Sequence, residues 1–388
     1  MPEKQGIPPS IEIYANLVLI PENSKPSTSD ILKARPICLI DELGKAFERV
    51  LVDRIFGWQL EHPEANFSEN QFGFRRNRST CDAPRGSIGY VGIDGKRHTR
   101  LIEAGVPQGS ALGPVLWNIA FDSVLGLADD EDNAKILCYA DDTLIVVTGG
   151  DWRFVCLRAS ILVVRTIIKI KSLGLAVSAE KTEAILFHRR GQVSLPSCIM
   201  VDDTPVNFSP CIKYLGVLIN VRWSFNDHFR YVKEKANRVI RALNRLMPNL
   251  KGPNERRRRL FANVVLSVIL YGAPVWRDVM SVSRLSPALY RLQRTVAQRV
   301  ISAYRTVSSN AALLLARLPP LRFFALTRKR MFERIKAHRE DGSVRKEIKE
   351  TELAGLCEEW REQLERPNTP GEITKVAVVP RLEAVIGP

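Results

Sequence analysis

Seven cysteines are scattered along 388 residues (Cys38, Cys81, Cys138, Cys156, Cys198, Cys211 and Cys357), no two of them in a C-x-x-C pair, and the five histidines do not gather near them. That pattern excludes a zinc module and a disulfide framework. Long apolar runs are missing too. The richest stretch, NVVLSVILYGAPVW, is too short to span a bilayer, and the opening residues, MPEKQGIPPSIEIYANLVLI, hold no basic segment followed by a continuous apolar one. A soluble intracellular protein with no membrane partner is expected. Scarcest of all is negative charge in one region: residues 222–340 carry 26 basic and 6 acidic side chains, a net +20, whereas residues 1–221 sum to −2 and residues 341–388 to −3. Nucleic acid is the economical partner for such a block, ahead of an acidic membrane surface.

What is present is a core-forming chain. With 45% hydrophobic and 26% charged residues it can bury a sizeable interior in two or three domains. Short apolar strands are expected in IEIYANLVLI and RPICLID, with PENSKPSTSD as a loop between them. A helix follows in DELGKAFERVLVDRIFGWQL, where Leu43, Phe47, Val50, Leu51 and Ile55 fall on one face. In ENQFGFRRNRSTCDA, Arg75, Arg76 and Arg78 suit phosphate contact or plain solvation equally well. YVGIDGKRHTRLIEA reads as a hairpin about Asp94-Gly95. GVPQGSALGPVLWNIAFDSVLGLA reads as a glycine-rich loop entering an apolar helix, with Ser110 as N-cap and Pro114 in the first turn.

KILCYADDTLIVVTGG then sets Asp141 and Asp142 between two apolar extended flanks. Two readings stand side by side. One is a hairpin turn, although an Asp-Asp pair is a poor choice where the backbone must turn left-handed. The other is a metal site, because neighbouring carboxylates repel, raise each other's pKa and are relieved by a divalent cation. Beyond it come an apolar helix (VCLRASILVVRTIIKIKSLGL) and two short strands, in AVSAEKTEAILFHRR and IKYLGVLIN.

The basic block opens with SFNDHFRYVKEKANRVIRALNRLM, in which Phe229, Val232, Ala236, Val239, Leu243 and Leu246 recur at helical spacing. Arg230, Arg238, Arg241 and Arg245 line another face, and Arg256, Arg257, Arg258 and Arg259 continue the stripe. Backbone contact with nucleic acid is the favoured reading, over a nuclear-import signal. The last fifty residues turn acidic, then rich in proline and glycine, and are expected as a loosely attached end.

In this order, RPICLIDELGKAFERVLVDRI, QFGFRRNRST, GVPQGSALGPVLWNIAFDSVL, YADD, GLAVSAEKTEAILF and KYLGVLIN resemble the successive blocks of a reverse transcriptase from a non-long-terminal-repeat retrotransposon. ILYGAPVWRDVM resembles the segment after the thumb, and RVISAYRTVSSNAALLLARLPPL is similar to the arthropod, ribosomal-gene-inserting branch. The resemblance implies an α+β, right-hand polymerase: fingers in residues 1–83, a palm with a small antiparallel sheet and the primer grip in 84–221, a helical basic thumb in 222–305 and a C-terminal extension in 306–388.

It also implies the chemistry. Two magnesium ions would serve nucleotidyl transfer from deoxynucleoside triphosphates onto a DNA primer along an RNA template. Asp141 and Asp142 match the palm carboxylates, and Lys181 matches a lysine near the phosphates. Gln108 and Gly109 match the block that lets backbone approach template and nucleotide. Tyr214, Leu215 and Gly216 match the primer grip. Lys25 and Arg35 stand where the fingers meet the triphosphate, with Glu22 where a lysine is usual. A nuclear location would suit target-primed integration.

One piece departs from the family. A further palm aspartate that bridges both ions belongs between the STxDA and GVPQGS blocks, and here only 21 residues, Pro84 to Ala104, separate Ala83 from Gly105. Asp94 sits in a turn and Asp82 in the fingers helix. The expectation is a chain recognisable as this polymerase and inactive as it stands: a copy cut short at both ends, without endonuclease or C-terminal cysteine-histidine knuckle, or a gene model that skipped a segment. The alternatives are a non-catalytic RNA-binding remnant and, with ILYGAPVW arguing against it, a group II intron maturase relative.

Overall fold

The computed structural model describes residues 15–21, 34–40, 42–65, 67–68, 87–91, 97–101, 110–128, 133–187, 197–246, 252–280, 283, 286–338, 344–366, 376, 378 and 379. It mixes helices with small, largely antiparallel sheets, the α+β class expected. Two compact units divide the chain: residues 1–184 with 188–208, and residues 185–187 with 209–388.

In the first unit, β1 (Ala15–Pro21) pairs antiparallel with β2 (Ala34–Ile40), and α1 (Glu42–Glu61) follows. β3 (Ser87–Val91) pairs antiparallel with β4 (Arg97–Leu101), the hairpin expected about Asp94-Gly95, whose turn lies outside the described residues. A parallel contact between Asn16 and Gly89 joins these pairs into one sheet of order β2-β1-β3-β4. After α2 (Gly113–Leu125), β5 (Ala134–Tyr139) and β6 (Asp142–Val147) form a separate two-stranded sheet. Then come α3 (Trp152–Ser172) and a hairpin of β7 (Cys198–Val201) and β8 (Thr204–Asn207).

Period-two patterning sets the orientation of β5. Ala134, Ile136 and Cys138 are buried, alternating with more exposed Lys135, Leu137 and Tyr139. The buried set packs with Phe121, Val124 and Leu125 of α2 and with Leu162 and Ile170 of α3. α3 has signalled ends. Asp151 accepts from the Arg153 amide at 2.9 Å, and Gly174, at φ 76°, closes a Schellman motif in which Leu175 N–H reaches Ile170 C=O.

In the second unit, among the described residues, β9 (Cys211–Tyr214) and β10 (Val217–Asn220) form a hairpin beside seven helices. These are α4 (Asn226–Leu246), α5 (Glu255–Ile269), α6 (Ala273–Met280), α7 (Ser286–Val300), α8 (Ser309–Leu315), α9 (Leu321–Ala337) and α10 (Val344–Glu365). One core joins them, with Phe229, Leu266, Trp276, Leu289, Leu314, Leu321 and Trp360 all deeply buried. Among the described residues no single helix is long and apolar enough to cross a membrane. α5 and α6 pass that test only as a pair, bent by 80°.

Four sequence expectations change. The strand expected in AVSAEKTEAILF is instead a 3₁₀ turn, Ala179–Lys181, with an isolated bridge from Ala184 to Phe208. Its polar run bonds locally: Lys181 N–H and the Thr182 hydroxyl both donate to Ser178 C=O, in competition with a strand ladder. The expected apolar face of α1 is rotated: Val50 is 50% exposed, while Glu48 and Gln59 are buried. Ser110 lies two residues before the α2 N-cap, Leu112, yet its hydroxyl still accepts from the Leu112 and Gly113 amides at 3.2 Å. Finally, the acidic C-terminal segment contains α10, with Ile348, Leu356, Cys357, Trp360 and Leu364 buried along one side and Glu352 bonded to Arg334 at 2.9 Å. Its charges mask an amphipathic helix in the composition.

Candidate functional site

The β5–β6 hairpin carries the aspartate pair on a two-residue turn. Tyr139 and Asp142 are the last paired residues, leaving Ala140 and Asp141 between them. Ala140, not an aspartate, takes the left-handed backbone at φ 58°. Asp141 therefore sits at the tip and Asp142 begins the returning strand, both exposed. Partial burial, then the charge of Asp141, pushes the Asp142 carboxyl above the usual range. Among the described residues no lysine or arginine pairs with either aspartate, and no third Asp, Glu, His or Cys joins them in a metal-holding group.

The turn is fixed from below by α2. Trp117, stacked on Phe121 at 5.1 Å between centroids, donates its indole N–H to Ala140 C=O at 3.1 Å. The start of α2 is fixed in turn by buried Glu48, which accepts from the Ser110 hydroxyl at 2.6 Å and from the Ala111 amide at 2.7 Å. Such charge-assisted bonds suit a helix N-terminus. Glu48 and Trp117 escaped the sequence reading. Glu48 shares its helix with Lys45, Arg49, Asp53 and Arg54, so nothing local marks it, whereas a tryptophan just after the GVPQGS block is a signal for Trp117.

Tyr214, Leu215 and Gly216 stand together where β9 turns into β10. Leu215 at φ 45° and Gly216 at φ 82° form a turn with both central residues left-handed, and a Cβ on Gly216 would lie 3.0 Å from the Tyr271 ring. Tyr271, just after α5, donates its hydroxyl to Leu215 C=O at 2.7 Å. Trp276 then donates to Tyr271 C=O at 2.8 Å, so the ILYGAPVW segment clasps this turn. His228 completes the clasp: its Nδ1 accepts from Leu218 N–H at 3.3 Å, and burial pushes the imidazole down to about 4. Lys181 is exposed on its 3₁₀ turn. Arg35 lies on β2 opposite Ile20, and Lys25, Gln108, Gly109, Asp82 and Asp94 lie outside the described residues.

Both turns fall inside one family match. Residues 88–219 match the family described as reverse transcriptase (RNA-dependent DNA polymerase). Over 354 residues the chain is 27% identical to the retrovirus-related Pol polyprotein from type-1 retrotransposable element R1 of Bradysia coprophila, covering 76% of this chain and 34% of that protein. The corresponding R1 protein of Nasonia vitripennis is 28% identical over 225 residues, covering 55% of this chain and 65% of that one. A probable RNA-directed DNA polymerase from transposon BS of Drosophila melanogaster is 21% identical over 325 residues, at 68% and 35% coverage. The chain resembles a non-long-terminal-repeat reverse transcriptase. It spans about a third of the length of the Bradysia relative and about two thirds of the Nasonia one.

The arginine stripes lie beyond the reverse-transcriptase match, in the second unit. Arg238, Arg241 and Arg245 are exposed along α4, and Arg230 is exposed but bonded to Asp227 at 2.9 Å. On α5, Arg256 and Arg257 are exposed, whereas Arg259 is paired with Glu255. Arg258 departs from the expected stripe. It is buried, donating to Pro253 C=O at 2.8 Å and to Arg299 C=O at 2.9 Å, where it sits against the C-terminal end of α7. A guanidinium so engaged is a strut between helices and not a surface charge.

Proposed function

We propose that this chain is a reverse-transcriptase domain of R1 type that keeps the nucleic-acid-holding parts of the right hand and lacks the complete two-ion clamp for transfer. In this reading the first unit carries fingers and palm, and α4 and α5 belong to a thumb that tracks the backbone of an RNA template and DNA primer. The observation that carries it is the pairing of β3 and β4. The short segment between the fingers and GVPQGS is spent in the β2-β1-β3-β4 sheet, and the aspartate hairpin stands as a ribbon of two strands with two carboxylates.

The family uses divalent metal ions, and the donor set here fits one of them. Asp141 and Asp142 would hold it, since a cation compensates the burial and the neighbouring charge that raise the Asp142 carboxyl. Such an ion supplies Lewis-acid polarisation of a phosphoryl oxygen; a second ion would need the bridging carboxylate. Lys181, Lys25, Arg35, Gln108 and Gly109 would meet the nucleotide, and the Leu215–Gly216 turn would hold the primer end. A nuclear location follows only if the chain still meets its target DNA.

Binding tests this reading. RNA–DNA hybrid should bind with log affinity falling steeply against log salt, by about 0.7 to 0.9 per phosphate contacted. Arg256→Glu with Arg257→Glu should weaken it and flatten the slope by about two contacts. Affinity indifferent to salt, or to that reversal, contradicts the proposed thumb.

A further inference from the structure

Between the end of α5, α9 and the start of α10 lies an open groove of about 530 Å³ that the aspartate site and the arginine stripes do not use. Apolar Met331 and Ile335 floor it, two aromatic side chains border it, Tyr271 and Phe332, each 53% exposed, and two arginines line it, Arg328 and Arg345. None of its lining residues is acidic. Arg328 is exposed at this wall and donates one N–H to Leu270 C=O at 3.1 Å. Its charge lines the groove, partly stripped of water, where an anion compensates it.

We infer that this groove takes an unpaired nucleotide of a single-stranded nucleic acid, its base on an aromatic face and its phosphate toward the arginines. Three features favour this occupant over an apolar peptide. Exposed aromatics beside arginines are the composition of sequence-tolerant single-strand sites, where bases stack on the aromatic faces. The volume lies within the roughly 300–1,000 Å³ of small-molecule pockets. All of the groove's lining residues except Arg345 also belong to a segment, 222–340, with net charge +20, which attracts a polyanion. Tyr271 links it to the Leu215–Gly216 turn through the bond to Leu215 C=O. The inference therefore rests on the reading of that turn as a primer grip only for which strand enters, not for the groove's chemistry.

The test is fluorescence anisotropy with twelve-nucleotide oligo(U) and oligo(dT), each with one 2-aminopurine, on the full chain across a salt series. Phe332→Ala should weaken both strands about tenfold, restore 2-aminopurine emission lost on stacking, and leave the salt slope unchanged, since it removes no phosphate contact. Phe332→Trp should keep the binding, which separates stacking from fold. Arg328→Gln should flatten the slope by about 0.7, one phosphate on a single strand. Binding that persists within twofold in Phe332→Ala, while Arg256→Glu with Arg257→Glu weakens it, overturns the groove and leaves the thumb standing. No binding by the unmodified chain overturns both.

Discussion

Among the described residues two hairpins carry an Asp-Asp pair, and they are built in opposite ways. At Asp202-Asp203, between β7 and β8, both aspartates are left-handed, with φ 47° and 63°, and Lys171 of α3 pairs with Asp202. These aspartates are the turn. At Asp141-Asp142 the left-handed position falls on Ala140, the carboxylates are displaced to the tip and the first strand residue, and the Asp142 carboxyl is raised by burial and by its neighbour. Alanine in that conformation costs roughly 1–2 kcal/mol that an asparagine or glycine would not. Strain kept beside uncompensated like charge is a mark of function, whereas relieved charge in a suited turn is a mark of structure. The Leu215–Gly216 hairpin is a third case, left-handed at both positions and held by Tyr271 and His228.

Acid should separate the third hairpin from the other two. The folded His228 imidazole titrates near 4, below the unfolded value, so its contribution is complete above about pH 6.5 and is lost as pH falls toward about 4. Up to about 3 kcal/mol of second-unit stability is at stake. Denaturant curves read by tryptophan fluorescence should show that loss, and His228→Phe should flatten its pH slope. A slope unchanged in the variant assigns the loss to other groups.

The next largest effect concerns what holds the Asp141 hairpin. Glu48→Ala leaves the Ser110 hydroxyl and Ala111 amide without their carboxylate, and should cost the first unit about 2 kcal/mol. Hydrogen exchange at Ala140 and Asp142 should rise with it, while exchange at Asp202 stays put. Ala140→Gly should act in the other direction, stabilising by about 1 kcal/mol in urea titrations as the strain is relieved. Smallest is Lys171→Ala. That exposed pair should be worth a few tenths of a kcal/mol, and a thermal midpoint shifted by many degrees would mean that Asp202-Asp203 depends on its lysine more than a surface ion pair allows.

These contrasts also show what a sequence makes legible. Periodicity placed α1, α3 and α4, and glycine-rich and Asp-Gly signals placed the entry to α2 and the β3–β4 hairpin, because each rests on local chemistry. The argument that an aspartate pair resists a left-handed turn failed at Asp202-Asp203. Aspartate tolerates αL, and Lys171, thirty-one positions away in sequence, offsets its charge. Arg258 was misread because a run of four arginines gives no sign of which one the helix turns inward onto Arg299 C=O. α10 was missed because ten acidic and basic residues among its other positions dilute one buried face in any average of composition. Tyr271 and Glu48 act on partners more than fifty positions away, beyond any local pattern.

The account turns on Asp141 and Asp142 being a carboxylate pair short of its clamp. Primer extension on an RNA template, with magnesium and deoxynucleotides, measures that directly when the chain is run beside Asp141→Ala with Asp142→Ala. The account predicts no extension by either protein, with RNA–DNA hybrid still bound by both at low salt. Extension by the unaltered chain above that control would contradict it, and would mean that another carboxylate completes the palm.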